Sequence, residues 1–543
     1  MNSAHHFPEA VPLGCLTDIY EADIRERDAR IREFANFRDV LRWPLALLAG
    51  VCLAGCGGDG GRDAPAGNPS VVETSPSSGA TLIPNTTTIS AAFNREMAPA
   101  TLTTGSFTLE CPAGAAITAV VSYDAPTKTA TLAPSSPLPS DVTCTATITS
   151  AAQDTSGVAL AANFSWTFGT TVDAAMVEQG KQTFRFDTFG DETQWTDTLR
   201  MHEVISAAVD PVTALSVGLK VDAEALPEAV VQGIQDGSVS LTSPATTVAL
   251  LKLNAVVGIK GTVEDINGVD TLTRVGITCA LCHSTVDDSF APGIGKRLDG
   301  WPNRDLNPGA IIALSPALTP QQKDVYNSWG KGKYDPRFNQ DGISSAQVIS
   351  PAYGLKDIHR ITSTGDGEEI AYWNRYVGVT QMGGHGTFSE PRTGVTVVNG
   401  TDDLISDKLP ALQAYQLTLL APPPPSGSFD PAAASRGQAL FEGVARCATC
   451  HSGPELTDAN VRLHSPTEAV SEPEPDGAPS YASRTATKQY RTAPLKGLWQ
   501  HPPYFHNGSA ATLEDVVMTY NTRQSLGLSD DERADLVQYL KSL

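Results

Sequence analysis

Apolar and polar residues alternate in short runs along the first part of the chain, and this alternation predicts β-strands. The runs lie at 88–93, 106–111, 117–123, 127–132, 142–149 and 164–168. Short strands that recur roughly every 8–12 residues, with turn residues between them, are typical of a β-sandwich. We therefore expect an all-β module over residues 69–171.

Beyond residue 171 the apolar positions follow a helical period instead. The segments with this period are 174–185, 246–257 and 431–441. A Ser-x-x-Glu capping box at 529–532 predicts the start of a final helix. Four consecutive prolines at 422–425 mark a boundary. The remaining chain therefore divides into two parts, 172–425 and 426–543.

A short apolar run near the N-terminus, 45–54, has arginines before it and a cysteine, Cys56, after it. About ten apolar residues are too few to span a bilayer, whereas a basic flank and small residues before a cleavage point are typical of a secretory signal. The ending L-A-G-C resembles the lipobox of bacterial lipoproteins, which implies that Cys56 is lipidated. We expect a leader over 1–56, a flexible tether over 57–68, and a lipid-anchored protein at the periplasmic face or the outer membrane. The polar stretch 1–39 suggests that the start codon is assigned too early.

Two copies of the motif C-x-x-C-H decide the chemistry that we expect. They are Cys279, Cys282 and His283 in the first copy, and Cys447, Cys450 and His451 in the second. At this spacing the two thiols form thioethers with heme c, and the adjacent histidine ligates the iron. A zinc site would need both cysteine pairs around one ion, and a redox dithiol would need a βαβ context that the sequence lacks. We therefore predict two covalently bound hemes, with His283 and His451 as iron ligands.

Composition excludes one class of partner and favours another. The 543 residues carry 38 basic and 60 acidic side chains, which gives a net charge of −22. Binding of nucleic acid needs concentrated Lys and Arg, so we expect no nucleic-acid partner. An acidic surface attracts basic proteins at low ionic strength, so a basic cytochrome or cupredoxin is the expected redox partner.

The β-rich segment also resembles a known module. S-P-S-S-G-A-T-L-I-P at 75–84 and S-W-T-F-G-T at 165–170 are similar to the Ig-like domain of bacterial surface proteins. In an exported protein the two cysteines of this module, Cys111 and Cys144, most simply form a disulfide, with two buried free thiols as the alternative. The module has no cluster of acids, histidines or nucleophiles, which favours a spacer or docking role.

The C-terminal part resembles bacterial diheme cytochrome c peroxidases. The runs that carry the resemblance are T-A-P-L-K-G-L-W at 492–499, P-Y-F-H-N-G at 503–508 and T-L-E-D-V-V at 512–517. This superfamily includes the diheme enzyme that matures tryptophan tryptophylquinone and, more distantly, rubber oxygenase. The resemblance is strong over residues 430–543. It is weaker over 172–429, where F-R-F-D-T-F-G at 184–190 and R-L-D-G-W at 297–301 suggest a divergent branch.

The resemblance implies a fold and a division of labour. The expected fold is an all-β Ig-like sandwich followed by two mainly α-helical cytochrome c-type heme domains. In the superfamily the C-terminal heme relays electrons and the N-terminal heme meets peroxide. The sixth ligand of the relay heme lies fourteen residues after the histidine of P-Y-F-H, a position that Tyr520 occupies here. The quinone-maturing enzyme has a tyrosine at the corresponding place, so Tyr520 is the expected ligand and His506 is the alternative.

The candidates around the first heme are less well defined. Glycines beside Met382 and His385, in Q-M-G-G-H-G, would let this loop approach a flat macrocycle closely. We expect Met382, His385 or His359 to face the first heme, as a distal ligand or a peroxide-facing group. Peroxide cleavage also needs a group that moves a proton, for which the two histidines and the pair Glu368 and Glu369 are candidates.

We therefore expect a diheme oxidoreductase that takes up electrons at the His451 heme and reduces peroxide or a related oxidant at the His283 heme. Trp373 or Trp499 between the hemes would help this transfer, although core packing is the commoner role of a single tryptophan. Calcium is a further candidate cofactor. Two other functions stay open: a non-enzymatic electron-transfer cytochrome, and a surface-binding protein that uses its Ig-like module.

Overall fold

Eight strands of the N-terminal module form two four-stranded sheets. They are β1 (Val71–Ser75), β2 (Ala80–Ile83), β3 (Ile89–Phe93), β4 (Phe107–Glu110), β5 (Ala119–Asp124), β6 (Thr129–Pro134), β7 (Thr143–Ile148) and β8 (Phe164–Thr170). One sheet has the order β1-β3-β6-β5 and the other the order β2-β8-β7-β4. The six predicted strands are confirmed to within about two residues, the usual uncertainty of element ends. β1 and β2 fall outside the predicted runs.

The computed structural model describes residues 67–171, 173–367, 369–468 and 480–543. The expected leader, its lipidation site Cys56 and nearly all of the tether lie outside these residues. Within them, no helix is both long enough and apolar enough to cross a membrane.

The core of the sandwich accounts for the two-residue period of the sequence. Inward-facing side chains from both sheets, such as Ile89, Leu132 and Phe168, form one apolar cluster and are at most 1% exposed. Cys111 and Cys144 lie in the same cluster and form a disulfide, with their Cα atoms 4.3 Å apart.

Beyond the sandwich, helices are the main regular structure over 426–543 and at both ends of 173–425. In the described residues they are α1 (Ala174–Phe186), α2 (Met201–Ala208), α3 (Pro211–Ser216), α4 (Glu228–Gln235), α5 (Pro244–Lys252), α6 (Ala280–His283), α7 (Pro308–Ala313), α8 (Pro320–Asn327), α9 (Phe338–Asp341), α10 (Ile370–Val377), α11 (Leu409–Thr418), α12 (Pro431–Glu442), α13 (Leu513–Arg523) and α14 (Asp530–Ser542). The predicted helices over 174–185 and 431–441 are confirmed. The one over 246–257 starts two residues earlier and ends five residues earlier, as α5.

Two helix pairs of the same design form the centres of two modules that follow the sandwich, here called the first module (173–425) and the second module (426–543). α1 packs on α11 in the first module, and α12 packs on α14 in the second. Each pair touches at a glycine of the earlier helix: a Cβ atom at Gly180 would lie 1.9 Å from the carbonyl oxygen of Ala411, and one at Gly437 would lie 2.1 Å from that of Asp535. Glycine is therefore the residue that allows these helix axes to approach so closely.

Four residues after each glycine, an aromatic ring of the earlier helix meets a tyrosine of the later one. The ring centroids of Phe184 and Tyr415 are 5.6 Å apart, and those of Phe441 and Tyr539 are 5.1 Å apart, both edge to face. The G-x-x-x-F segments at 180–184 and 437–441 are thus an internal repeat of the chain.

A long insertion separates α1 from the first C-x-x-C-H motif. In the second module the motif follows α12 within five residues, whereas 187–278 intervene in the first. The end of the insertion lies next to its beginning: Thr278 Oγ1 donates a hydrogen bond to the carbonyl oxygen of Arg185 at 3.1 Å. The Asp191 carboxylate also accepts a hydrogen bond from the N–H of Ile277 at 3.1 Å. The motif therefore lies next to α1 in space although it is distant in sequence.

The first module is less helical than predicted. Its described part contains five two-stranded sheets: β10 (Ile259–Ile266) with β11 (Val269–Ile277), β12 (Ser284–Val286) with β14 (Arg297–Asp299), β13 (Ile294–Gly295) with β9 (Val221–Asp222), β15 (Lys333–Tyr334) with β16 (Gln347–Val348), and β17 (Gly386–Glu390) with β18 (Val395–Asn399). The expectation of a mainly α-helical domain over 172–425 is therefore confirmed in part, because eleven α-helices lie in its described residues and the five small sheets lie among them. β10 and β11 are joined by Asn267-Gly268, both at positive φ, which is the strongest short hairpin signal a sequence can carry.

Candidate heme sites

The first C-x-x-C-H motif forms α6, and a backbone carbonyl fixes its histidine. Nδ1 of His283 lies 3.0 Å from the carbonyl oxygen of Ser350, so Nδ1 carries the ring proton. The other nitrogen, Nε2, keeps its lone pair for a metal. Burial lowers the pKa of His283 to about 4, which keeps the imidazole neutral at physiological pH. A neutral histidine oriented by a carbonyl is the arrangement expected of an iron ligand.

The second motif repeats this arrangement in a different local structure. Its cysteines lie in a 3₁₀ turn, Cys447–Thr449, and just after it. Nδ1 of His451 lies 3.1 Å from the carbonyl oxygen of Leu456, and burial again lowers the pKa of the imidazole. Nδ1 therefore has a carbonyl partner at both motifs, and the backbone of Ala493 also interacts with the His451 ring.

The thiols of the first motif do not have the character of a redox dithiol. Burial raises the pKa of Cys279 and of Cys282 to about 12, and a thiol that stays protonated is a weak nucleophile. Within the described residues, the His, Cys and acidic side chains that lie close enough together to hold one metal ion are those of Cys450, Asp458 and His464. That cluster does not combine the two cysteine pairs, so the zinc alternative gains no support.

A cavity of about 600 Å³ adjoins the second motif. Cys447, Cys450 and His451 line it, and so do the two alternatives for the sixth ligand, Tyr520 and His506. Volumes of roughly 300–1,000 Å³ are usual for small-molecule and cofactor sites. The structure thus brings both ligand candidates to the cavity beside His451.

Buried nitrogen atoms indicate what this cavity is built to hold. Arg304 Nε, Arg491 Nε and both ring nitrogens of His501 are buried and lack a hydrogen-bond partner within the described residues, and all three side chains line the cavity. A buried polar group left unsatisfied costs about 1–3 kcal/mol, so such groups are rare. The carboxylate side chains of a heme would supply the missing acceptors. The residues present therefore fit this cofactor.

Tyr520 and His506 differ in their surroundings. Burial, and to a smaller extent Cys447 and Cys450, raise the pKa of the Tyr520 phenol, so the hydroxyl keeps its proton. The hydroxyl has no recorded protein partner among the described residues. His506 packs on Tyr490, with ring centroids 4.7 Å apart and Nε2 3.4 Å from the Tyr490 hydroxyl oxygen. His506 therefore already has a protein partner for the nitrogen that would bind iron.

The segment that contains Met382 lies beside the first motif. Met382 is 3% exposed and belongs to the same apolar cluster as Cys279. The preceding residue, Gln381, accepts a hydrogen bond from the Tyr334 hydroxyl at 2.8 Å. Burial raises the pKa of Tyr334, and the nearby Cys282 adds to this effect. Tyr334 is thus a polar group close to the first motif that no sequence motif indicates, and it is held by Gln381 of the Q-M-G-G-H-G segment.

His385 is held between two loops. Its Nε2 lies 3.3 Å from Thr193 Oγ1. The glycine at position 400 makes room for its ring, since a Cβ atom there would lie 2.5 Å from the imidazole. In the described contacts His385 connects two loops, and its placement facing the first heme stays a prediction.

His359 lies at the surface of the first module. Its side chain is exposed, and its backbone N–H donates to Asn460 Oδ1 of the second module at 2.7 Å. Among the two candidate acids, Glu369 is exposed and Glu368 lies outside the described residues. The described contacts therefore leave His359 and Glu369 at the surface.

Two tryptophans meet between the modules. The rings of Trp301 and Trp499 lie edge to face with centroids 5.8 Å apart. The residue before Trp301, Gly300, donates its N–H to the carbonyl oxygen of His283, and Leu498, just before Trp499, lines the second cavity. Trp373 instead stacks on Tyr376 in the apolar cluster of the first module, so it packs in the core.

Comparison with known protein families identifies two parts of the chain. The family model described as a bacterial Ig-like domain matches residues 66–170. The model described as RoxA-like, cytochrome c-like matches residues 489–526.

Comparison with individual proteins finds relatives that share part of their length with this chain. It is 29% identical over 151 residues to cytochrome-c peroxidase IdrP1 of Denitromonas iodatirespirans, covering 21% of this chain and 40% of that protein. It is 33% identical over 157 residues to methylamine utilization protein MauG of Methylorubrum extorquens, covering 24% and 42%. The chain thus spans about two fifths of the length of these curated relatives.

Among solved structures, hydrazine synthase of Kuenenia stuttgartiensis is 22% identical, with a TM-score of 0.26, covering 38% of this chain and 74% of that one. The chain therefore combines a bacterial Ig-like domain with a RoxA-like cytochrome c segment, and part of it is similar to cytochrome-c peroxidases.

Proposed function

We propose that this chain is a peroxidase-like diheme oxidoreductase, which receives electrons at the His451 heme and passes them to the His283 heme, where peroxide or a related oxidant is reduced. The observation that carries the proposal is the repeated setting of the two motifs. Each histidine has its Nδ1 against a backbone carbonyl, and each motif belongs to a module with the same glycine-mediated helix contact. The partial similarity to cytochrome-c peroxidases supports the reaction class.

The chain's own residues would set the properties of the two irons. A bound heme supplies an iron that exchanges one electron and, with a displaceable sixth ligand, accepts an oxidant. The carbonyl oxygens of Ser350 and Leu456 accept the Nδ1 protons of His283 and His451, which orients each ring and raises the basicity of its Nε2. The Trp301–Trp499 pair supports transfer between the sites, because it places aromatic rings between the two modules.

Export and anchoring through Cys56 belong to the same proposal. The Cys111–Cys144 disulfide supports an oxidising compartment, where such bonds form and persist. The net charge of −22 supports a basic redox partner. Calcium remains a candidate further cofactor.

We expect Tyr520, and not His506, to be the sixth ligand of the second heme iron. Its hydroxyl lines the cavity without a recorded protein partner among the described residues, while Nε2 of His506 faces Tyr490. Tyr520→Phe removes the ligating oxygen, so it should change the absorption spectrum of the second heme and leave that of the first heme as it is. His506→Gln is the matched control and should preserve both spectra. The opposite pattern would assign the ligand to His506.

Peroxide turnover tests the function itself. With the heme-loaded protein and a reduced electron donor, we expect peroxide-dependent oxidation of the donor and a high-spin heme that responds to peroxide. Two low-spin hemes in both redox states, with no spectral change on adding peroxide, would contradict the proposal. That result would instead support an electron-transfer cytochrome.

A further inference from the structure

His501 is a buried histidine whose two ring nitrogens both lack a hydrogen-bond partner within the described residues. It is 8% exposed, follows the 3₁₀ turn Leu498–Gln500 and lines the cavity beside His451. A neutral imidazole has one donor and one acceptor nitrogen, and burying both unsatisfied is costly. A bound molecule in the cavity, and not the described residues, would therefore have to supply the polar group that satisfies these two nitrogens.

Arg304 brings a positive charge to the same place from the first module. Its Nη1 donates to the carbonyl oxygen of Pro503 at 3.0 Å, and its Nε has no partner within the described residues. The preceding residue, Asn303, donates its backbone N–H to the carbonyl oxygen of Cys282 at 2.9 Å. Arg304 is thus fixed beside the first motif while its guanidinium lines the cavity of the second.

Among the charged groups around His501, Arg304 and Arg491 each keep an Nε that is unsatisfied within the described residues, and Arg304 is the one whose charge acts on the imidazole. Tyr504 lies 5.8 Å from the His501 ring and donates its hydroxyl to the carbonyl oxygen of Leu498. Elsewhere in the cavity wall, Lys496 is paired with Glu455 at 2.8 Å, and His464 with Asp458 at 3.2 Å. Arg491 Nη1 donates to the carbonyl oxygen of Arg360 at 3.0 Å.

Burial and the charge of Arg304 together lower the pKa of His501 to about 3. A carboxylate placed between the two side chains would pair with Arg304 and cancel its effect on the imidazole. His501 would then gain a hydrogen-bond partner and a higher affinity for protons.

We propose that His501 and Arg304 together bind a carboxylate side chain of the second heme, and that His501 takes up a proton when this heme takes up an electron. The iron gains one electron and one proton from solvent binds a ring nitrogen, so the net charge of the site is unchanged. The added electron makes the site more negative, which favours the protonated imidazole. The proposal rests on the presence of the second heme and not on peroxide reduction, so the two can fail separately.

Redox titration of the heme-loaded protein between about pH 5 and pH 8 tests this coupling, with the second heme followed by its absorbance. In the wild-type protein, the ferrous-to-ferric ratio at a fixed potential should fall as the pH rises, by up to about tenfold per pH unit for one proton per electron. His501→Leu should make the ratio independent of pH while the heme stays attached. His359→Leu, at an exposed histidine, is the matched control and should keep the wild-type slope.

A second pair of variants tests the role of Arg304. Because Arg304→Leu leaves the heme carboxylate unpaired beside His501, it should move the pH-dependent range upward, whereas Arg304→Lys should leave it close to that of wild type. A wild-type ratio that does not depend on pH would overturn the proposal. So would a wild-type slope that persists in His501→Leu.

Discussion

Replacing both cysteines of either C-x-x-C-H motif is expected to halve the heme that remains attached after denaturation. Cys279→Ala with Cys282→Ala removes the thioethers of the first heme, and Cys447→Ala with Cys450→Ala removes those of the second. Each double variant should keep one heme, because the motifs lie in separate modules with separate helix pairs. Heme absorbance per mole of denatured protein measures the ratio.

The matched control for this experiment is the other cysteine pair. Cys111 and Cys144 are joined in the sandwich core, so replacing both with alanine should leave the heme content at the wild-type value. The disulfide variant should lose stability instead, by about 2–5 kcal/mol for a native disulfide. A motif variant that keeps its full heme content, or one that loses both hemes, would contradict the assignment of one heme to each motif.

Loss of heme should have its largest structural effect at the second motif. The cavity of about 600 Å³ is lined mainly by apolar side chains, which lose their contacts and meet water when the heme is absent. The net stability of a domain is only about 5–15 kcal/mol, so losing the apolar contacts with the heme removes a large part of it. We therefore expect protein produced without heme to lack the helical circular dichroism of the module over 431–543.

Local signals predicted the elements whose stability is local. The β3, β6 and β7 strands follow from strict alternation, because their alternate side chains enter one core. The final helix begins where the capping box predicts: Ser529 Oγ accepts from the N–H of Glu532, and the Glu532 carboxylate accepts from the N–H of Ser529. Both motifs could also be identified from sequence, since thioether attachment fixes their spacing.

The parts that escaped prediction depend on contacts between distant segments. Ser350 acts through its carbonyl oxygen, which every residue possesses, so its identity carries no signal for the contact with His283. The glycines beside Met382 and His385 indicated a close approach, and a Cβ atom at Gly383 or Gly384 would lie within 2.8 Å of Gln194 or of the carbonyl oxygen of Gly378, contacts that the spacing does not specify. His501 stands out only after folding, when burial removes its two nitrogens from water.

Alanine at the two helix contacts is expected to destabilise the modules, against the intrinsic preference of a helix. In a helix interior alanine is about 1 kcal/mol more favourable than glycine. At Gly180 and Gly437, however, the new Cβ atom would meet a backbone carbonyl oxygen at 1.9 Å and 2.1 Å, a distance that no side-chain rotation can relieve. Each helix pair must therefore separate, and the edge-to-face ring contacts one turn later must loosen with it.

The expected net loss is about 1–3 kcal/mol for each variant, the usual cost of overpacking, and it should appear as a lower midpoint of thermal unfolding. Gly105→Ala is the matched control, because a Cβ atom there has Thr103 Oγ1 as its nearest neighbour, at 3.6 Å, and this substitution should change stability little. Because the helix contact also positions the C-x-x-C-H segment that follows α12, Gly437→Ala should broaden the spectrum of the second heme and leave that of the first heme unaltered. A stabilised Gly437→Ala variant would mean that the helices are farther apart than their glycine contact indicates.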